Sequence, residues 1–196
     1  MSVATELPPR HMTIPEFLAW AEAQPDLWQL RDGEPEMMAP AADRHGRIQA
    51  VLAGSIYGHL SNAGSSCSVV IAPGVIPRVW SDRNMLIPDI GITCAPATGA
   101  VAMPDPVTLI EILSPSNEAQ TRANVWAFAT IPTVAEIILV SSFEIAAEIL
   151  RRGPDGNWPK QPEFVGTEGV LRIDSIGFEM KLREAYRTAG VGTELA

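Results

Sequence analysis

Lysine is nearly missing from this 196-residue chain: only Lys160 and Lys181 occur, so the first 159 residues contain none. Twelve arginines supply the remaining positive charge, and a guanidinium does not give up its proton to act as a base. Cysteine is equally scarce. Cys67 and Cys94 form no CxxC and join no cysteine–histidine cluster, which argues against a zinc finger or a disulfide-built scaffold and points to a reducing compartment. His11, His45 and His59 never fall at metal-ligand spacing, so no zinc centre is expected. No stretch approaches the ~20 apolar residues of a membrane span, and the first ten residues hold no apolar signal-peptide core. The expectation is a soluble, cytoplasmic protein without a membrane partner. A basic surplus is absent too: 23 acidic against 14 basic residues give a net charge of −9, which excludes nucleic-acid binding by bulk charge and leaves only a local groove. G-x-S-x-G, G-x-x-x-x-G-K-[ST] and G-x-G-x-x-G are all lacking, which removes the nucleophile elbow, the phosphate loop and the dinucleotide fingerprint.

What is present is an ordinary globular composition, 46% hydrophobic and 19% charged. A chain of this length can bury roughly 70% of its unfolded surface around one core. Thr13 and Glu16 make a capping box for a helix that stops at Pro25, with Ile14, Phe17, Leu18 and Ala21 on one face. Trp28–Leu30 and Glu34–Met38 read as a β-hairpin around Arg31-Asp32-Gly33. A long amphipathic helix follows, capped by Asp43 and stopped at Asn62-Ala63-Gly64. Ser68–Val79, Met85–Cys94 and Val107–Leu113 are β-rich runs, and Glu118–Thr130 is a weaker helix. Glu136–Ser141 and Glu144–Arg151 are two more strands, and the chain is then Pro- and Gly-rich until Leu171. This order predicts an α/β domain with a mixed sheet flanked by helices. Trp126 and Phe128 read as core, and the Arg151-Arg152 pair as a solvated strand end.

Two acids stand where apolar residues belong. Asp89 interrupts Met85-Leu86-Ile87-Pro88-Asp89-Ile90-Gly91-Ile92, and Glu111 interrupts Leu109-Ile110-Glu111-Ile112-Leu113. A buried carboxylate must be neutralised, paired or metal-bound. Asp89, after a proline, has the alternative of a strand-edge residue accepting backbone hydrogen bonds, whereas Glu111 has no cation within either run. Two carboxylates aimed at one point from adjacent strands suit a hard cation such as Mg²⁺. His45, beside Arg44 and Arg47 at a helix start, could touch phosphate or simply be solvated.

Taken in order, Trp28–Glu34, His45, Ile87–Ile90, Ile110–Asn117 and Ile131–Glu136 resemble the successive motifs of the Uma-type restriction endonucleases, a family of the PD-(D/E)XK nuclease superfamily. The resemblance implies a restriction-endonuclease-like core of about five strands flanked by helices. It also implies an endonuclease that hydrolyses phosphodiester bonds of nucleic acid, DNA first. In it Asp89 and Glu111 bind Mg²⁺, or Mn²⁺. The short apolar strands and low charge fraction would suit a homodimer, as nucleases that cut both strands often need two copies. Two departures stand out. The hairpin acid of the family is here Gln29, and the superfamily lysine is replaced by Leu113 or, at its migrated position, by Asn124. Arg122 and Asn124 would then stand in for the lost charge, with Gln29 and Glu34 supporting the site. The other reading is a catalytically degenerate nuclease domain that binds without cutting. The domain is expected over residues 13–186, with an extension at 1–12 and a tail at 187–196.

Overall fold

The computed structural model describes residues 11–115 and 118–192; Ser116 and Asn117 of the resembling motif, most of the N-terminal extension and the last four residues lie outside them. In chain order the elements are α1 (Ile14–Ala21), β1 (Trp28–Arg31), β2 (Glu34–Met37), α2 (Asp43–Asn62), β3 (Ser68–Ile71), β4 (Ile90–Thr93) and β5 (Pro106–Leu113). They continue with α3 (Glu118–Phe128), β6 (Glu136–Ser141), β7 (Ala147–Arg151), β8 (Glu163–Val165), β9 (Val170–Ile173) and β10 (Phe178–Lys181). Six strands form one mixed sheet in the order β3-β4-β5-β6-β7-β8, in which only β5 and β6 run parallel. A parallel neighbour requires a crossover, and α3 supplies it. The α/β architecture read from the sequence is therefore the one observed, with one more strand than the resemblance implied.

Alternation along β5 divides the core. Ile110 and Ile112 face α2, where Ile48, Leu52, Ile56 and Leu60 recur at helical spacing. Leu109 and Leu113 face α3, against Val125 and Phe128. Each face removes a contiguous apolar layer from water, at roughly 25 cal/mol per Å². Met12, Phe17, Leu30 and Met85 form a third cluster that docks the β1–β2 hairpin beside the sheet. No helix among the described residues is long and apolar enough to cross a membrane.

The differences from the sequence reading have local causes. The hairpin turn is only Asp32-Gly33, with φ of 52° and 82°, the left-handed pair of a two-residue turn, so Arg31 belongs to β1. Residue Ala42, not Asp43, is the N-cap of α2; Asp43 lies in the first turn and pairs with Arg47 at 2.7 Å. The run 68–79 breaks at Ala72-Pro73, where Ala72 takes a φ of 47° and Pro73 offers no N–H. The run 85–94 pairs continuously only from Ile90, because Pro88 cannot donate; Met85 and Leu86 make isolated bridges to Leu30 and Val75. Glu163–Val165, read as loop, is the edge strand β8. Trp126 is 76% exposed, not core, whereas Phe128 is fully buried. The Arg151-Arg152 pair is not solvated: Arg151 binds the buried Glu136 at 3.0 Å, and Arg152 stacks on Trp158 and donates to the carbonyls of Ala129, Ile131 and Val134.

Cys67 and Cys94, just before β3 and just after β4, are bonded, where the sequence reading expected a reducing compartment and no disulfide-built scaffold. Continuing the register one residue past the Ser68–Thr93 pair places them opposite each other. With a sequence separation of 27, loop closure contributes about 3.5 kcal/mol in the chain-entropy account. Urea unfolding with and without a thiol reductant should differ by up to that amount, and a Cys67→Ser protein should behave like the reduced form. Equal midpoints in all three cases would show that the bond adds nothing.

Candidate active site

Asp89 sits at the mouth of β4 rather than within a strand, since the ladder begins at Ile90. One face of the sheet carries Glu111 in the middle of β5, directly beside it, because Ile90 pairs with Ile110. The two backbones hold each other's carboxylates. The Ile112 N–H donates to Asp89 Oδ2 at 2.6 Å, and the Asp89 N–H hydrogen-bonds to Glu111. Behind Asp89 stand the first turns of α2: His45 Nε2 lies 2.9 Å from Oδ1, and Gln49 donates to the Asp89 carbonyl at 2.8 Å. Against an ionised carboxylate, which only accepts, Nε2 carries the proton. His45 is thus not a solvated residue; it is buried, and its ring nitrogen is taken up by Asp89.

Glu111 is 6% exposed, and its carboxyl pKa is pushed up to about 8. Burial is the largest cause, because the charged form loses water; the Asp89 charge adds to it. Hydrogen bonds from Asn124, at 3.2 Å, and from the Asp89 N–H work in the opposite direction, as does the charge of Arg31. Without a metal at neutral pH the pair therefore keeps a proton, with one guanidinium in range.

That guanidinium comes from the hairpin. Gln29 and Arg31 alternate onto one face of β1, and Glu36 is the cross-strand partner of Gln29. Arg31 Nε donates to both Glu36 oxygens at 3.0 Å, and Nη2 donates to Asn124 Oδ1 at 2.8 Å. Gln29 donates to Glu36 at 3.0 Å and accepts from the Ile87 N–H at 3.3 Å. With its oxygen turned toward the guanidinium, as the hydrogen bonding requires, the Gln120 amide accepts from Nη2 at 2.6 Å and Nε at 2.7 Å.

Of the residues singled out from the sequence, Asp89, Glu111 and Asn124 come together, and Gln29 joins them through Glu36 and Ile87. Glu34 does not: it stands across from Arg31 but is exposed, and the guanidinium takes Glu36 instead. Arg122 is also elsewhere. It forms a two-toothed pair with Glu148, at 2.7 and 2.9 Å, and bonds Glu118 at 2.9 Å. These partners raise its pKa, the Glu148 hydrogen bond most. Sequence reasoning missed Arg31, Glu36 and Gln120. An Asp-Gly pair read as a two-residue turn would have fixed the register and revealed the first two.

No group of three or more His, Cys, Asp or Glu side chains arranged to hold a metal occurs among the described residues. Two carboxylates nonetheless fit Mg²⁺, which keeps several waters and is commonly held by one or two protein carboxylates together with substrate phosphate.

A mixed sheet whose central strands bring an aspartate and a glutamate to one point, with helices on both faces, is the architecture of a restriction-endonuclease-like nuclease. The profile of the family Uma2, described as "Putative restriction endonuclease", matches residues 14–183, and the chain belongs to that family. It is 27% identical over 175 residues to "Uncharacterized protein slr1290" of Synechocystis sp., covering 88% of this chain and 90% of that protein. A crystal structure from Anabaena variabilis, described as "a putative nuclease belonging to DUF820", shares the fold with a TM-score of 0.71 at 15% identity. That match covers 89% of this chain and 97% of the other.

The raised Glu111 pKa gives a pH dependence of known sign. Between the ordinary carboxylate value of 4.5 and about 8, the folded protein holds a proton that the unfolded chain has released. Unfolding free energy therefore falls as pH rises through that window. Urea titrations of the metal-free protein from about pH 5 to about pH 8 should record this decline, and Glu111→Gln should flatten it. An identical pH profile for both proteins would contradict the assignment.

Proposed function

We propose that the protein is a Mg²⁺- or Mn²⁺-dependent phosphodiesterase acting on nucleic acid, with Asp89 and Glu111 as the metal-binding carboxylates. The convergence of these two side chains from neighbouring central strands carries the reading. Without a metal, burial beside Asp89 keeps Glu111 protonated up to about pH 8, so both carboxylates can be charged at neutral pH only when a cation compensates them. A bound divalent ion would supply that compensation and would stabilise charge developing on the scissile phosphate.

The residues of the chain have separable tasks. Asp89 is oriented by His45 on one oxygen and by the Ile112 N–H on the other, so its geometry is preset before substrate arrives. Each carboxylate oxygen has a second lone pair, which leaves coordination capacity beyond these bonds. Asn124 holds Glu111 and so orients the second carboxylate. In the overall reaction water adds to phosphorus and the ester P–O bond to the leaving oxygen breaks. One water proton ends on the leaving alcohol, and a phosphate monoester remains. Membership of a nuclease family supports this reaction class. The second reading, a binding domain that does not cut, draws on Gln29 and Asn124, where the family resemblance implies an acid and a lysine.

Incubation of plasmid DNA with Mg²⁺ or Mn²⁺ tests the choice. Wild-type protein should nick or linearise the plasmid, and Asp89→Asn or Glu111→Gln should each lower the rate roughly 100-fold or more, since several kcal/mol of charge stabilisation is at least two factors of ten. Metal-dependent cleavage absent from the wild type favours the binding domain; cleavage that survives both substitutions rules out the carboxylate pair.

A further inference from the structure

Charge at the site does not balance on the protein's carboxylates alone. Asp89, Glu111 and Glu36 are three acids in one polar cluster, and a nucleic-acid phosphate arriving there adds a further negative charge. A cation must face it. Lysine cannot provide it locally, because Lys160 and Lys181 are both exposed, before β8 and at the end of β10. Arg122 is held by Glu118 and Glu148, out on the β7 side of α3. Arg31 is differently placed. Its guanidinium bonds Asn124, whose other amide group bonds Glu111, so one side chain separates it from the buried carboxylate.

We infer that Arg31, delivered by the β1–β2 hairpin, is the residue that binds the substrate's phosphodiester oxygen beside Asp89 and Glu111. This rests on the phosphodiesterase reading for its place in a reaction, but not for the anion contact itself. Glu36 accepts from Nε, Asn124 from Nη2, and the Gln120 oxygen from all three nitrogens, Nη1 at 3.1 Å, which fixes the plane of the guanidinium and leaves one Nη1 N–H for a substrate oxygen. The side chain remains 18% exposed, so the immobilised group is open to solvent on part of its surface. A pre-oriented guanidinium loses little freedom when that N–H meets a phosphate oxygen. Since Arg keeps its proton, its task is to hold and polarise the phosphate, and it takes no proton from water. Glu36 and Gln120, by holding Arg31, are positioning residues.

The test uses the full chain and a short fluorescent DNA duplex, with Ca²⁺ in place of Mg²⁺ to hold turnover back. Arg31→Ala should weaken binding roughly ten- to hundredfold, as expected for loss of a charge-assisted contact. It should also reduce the slope of log affinity against log salt by about one. Arg31→Lys, which keeps the charge and loses the fork, should lie between. Lys181→Ala, an equal loss of charge at an exposed distant position, should leave both readouts unchanged. If Arg31→Ala fails to fold by circular dichroism, Arg31→Gln replaces it and is compared with Arg31→Lys. Equal affinity and salt slope in wild type and Arg31 variants, or no duplex binding by the wild type, overturns the inference. Wild-type rates of plasmid cleavage by Arg31→Ala also overturn it, while leaving the carboxylate-based phosphodiesterase standing. Arg31-dependent binding without any cleavage does the reverse: it upholds the phosphate contact and removes the enzyme.

Discussion

The structure turns on a carboxylate that should not be comfortable where it is. Glu111 lies inside β5, nearly without water, and its nearest charged neighbour along the sheet is another acid. Hydrophobic burial of the surrounding strands holds it there: Leu109, Ile110, Ile112 and Leu113 are all buried, and moving the acid outward by one residue would turn the whole strand over. The apolar core therefore carries the cost of the site. Hydrogen bonds across the β4–β5 junction reduce that cost without removing it.

Position is set by elements that have little else in common. Asp89 stands just ahead of β4, between Pro88 and the start of the ladder at Ile90, and its carboxylate accepts from the Ile112 N–H. Helix α2 buries its apolar stripe against one face of the sheet and thereby brings His45 and Gln49 behind Asp89. Helix α3, which had to exist to connect the parallel strands β5 and β6, presents Gln120 and Asn124 to the other side. The hairpin docks through Leu30 and Met85 and supplies Glu36 and Arg31. A single anionic point is thus served by four separate packing interactions.

Much of this was legible in the chain. Periodicity located α1, α2, α3 and the central strands to within a few residues, because those segments bury one face and their apolar spacing says so. The two acids are visible as interruptions of apolar runs, and the order of the motifs points to the family in the sequence itself. What could not be read was which polar side chains meet. Arg122 and Arg31 have the same chemistry, and only the three-dimensional path of α3 relative to β7 decides that Arg122 finds Glu148. Glu34 and Glu36 are two residues apart on one strand face, and Arg31 reaches the diagonal neighbour instead of the direct one. The disulfide escaped for a similar reason: two cysteines 27 residues apart carry no pattern until β3 and β4 are paired. The edge strand β8 is short and lies in a Pro- and Gly-rich stretch, where propensity argues for loop and only pairing with β7 overrides it.

Crystals grown with Mn²⁺ and measured at a wavelength where manganese scatters anomalously address the central claim directly. One anomalous peak within coordination distance of both the Asp89 and Glu111 carboxylates is the predicted result. A map in which that position holds no manganese at saturating concentration, or in which the ion sits on other side chains, would contradict the account and leave the fold without the chemistry assigned to it.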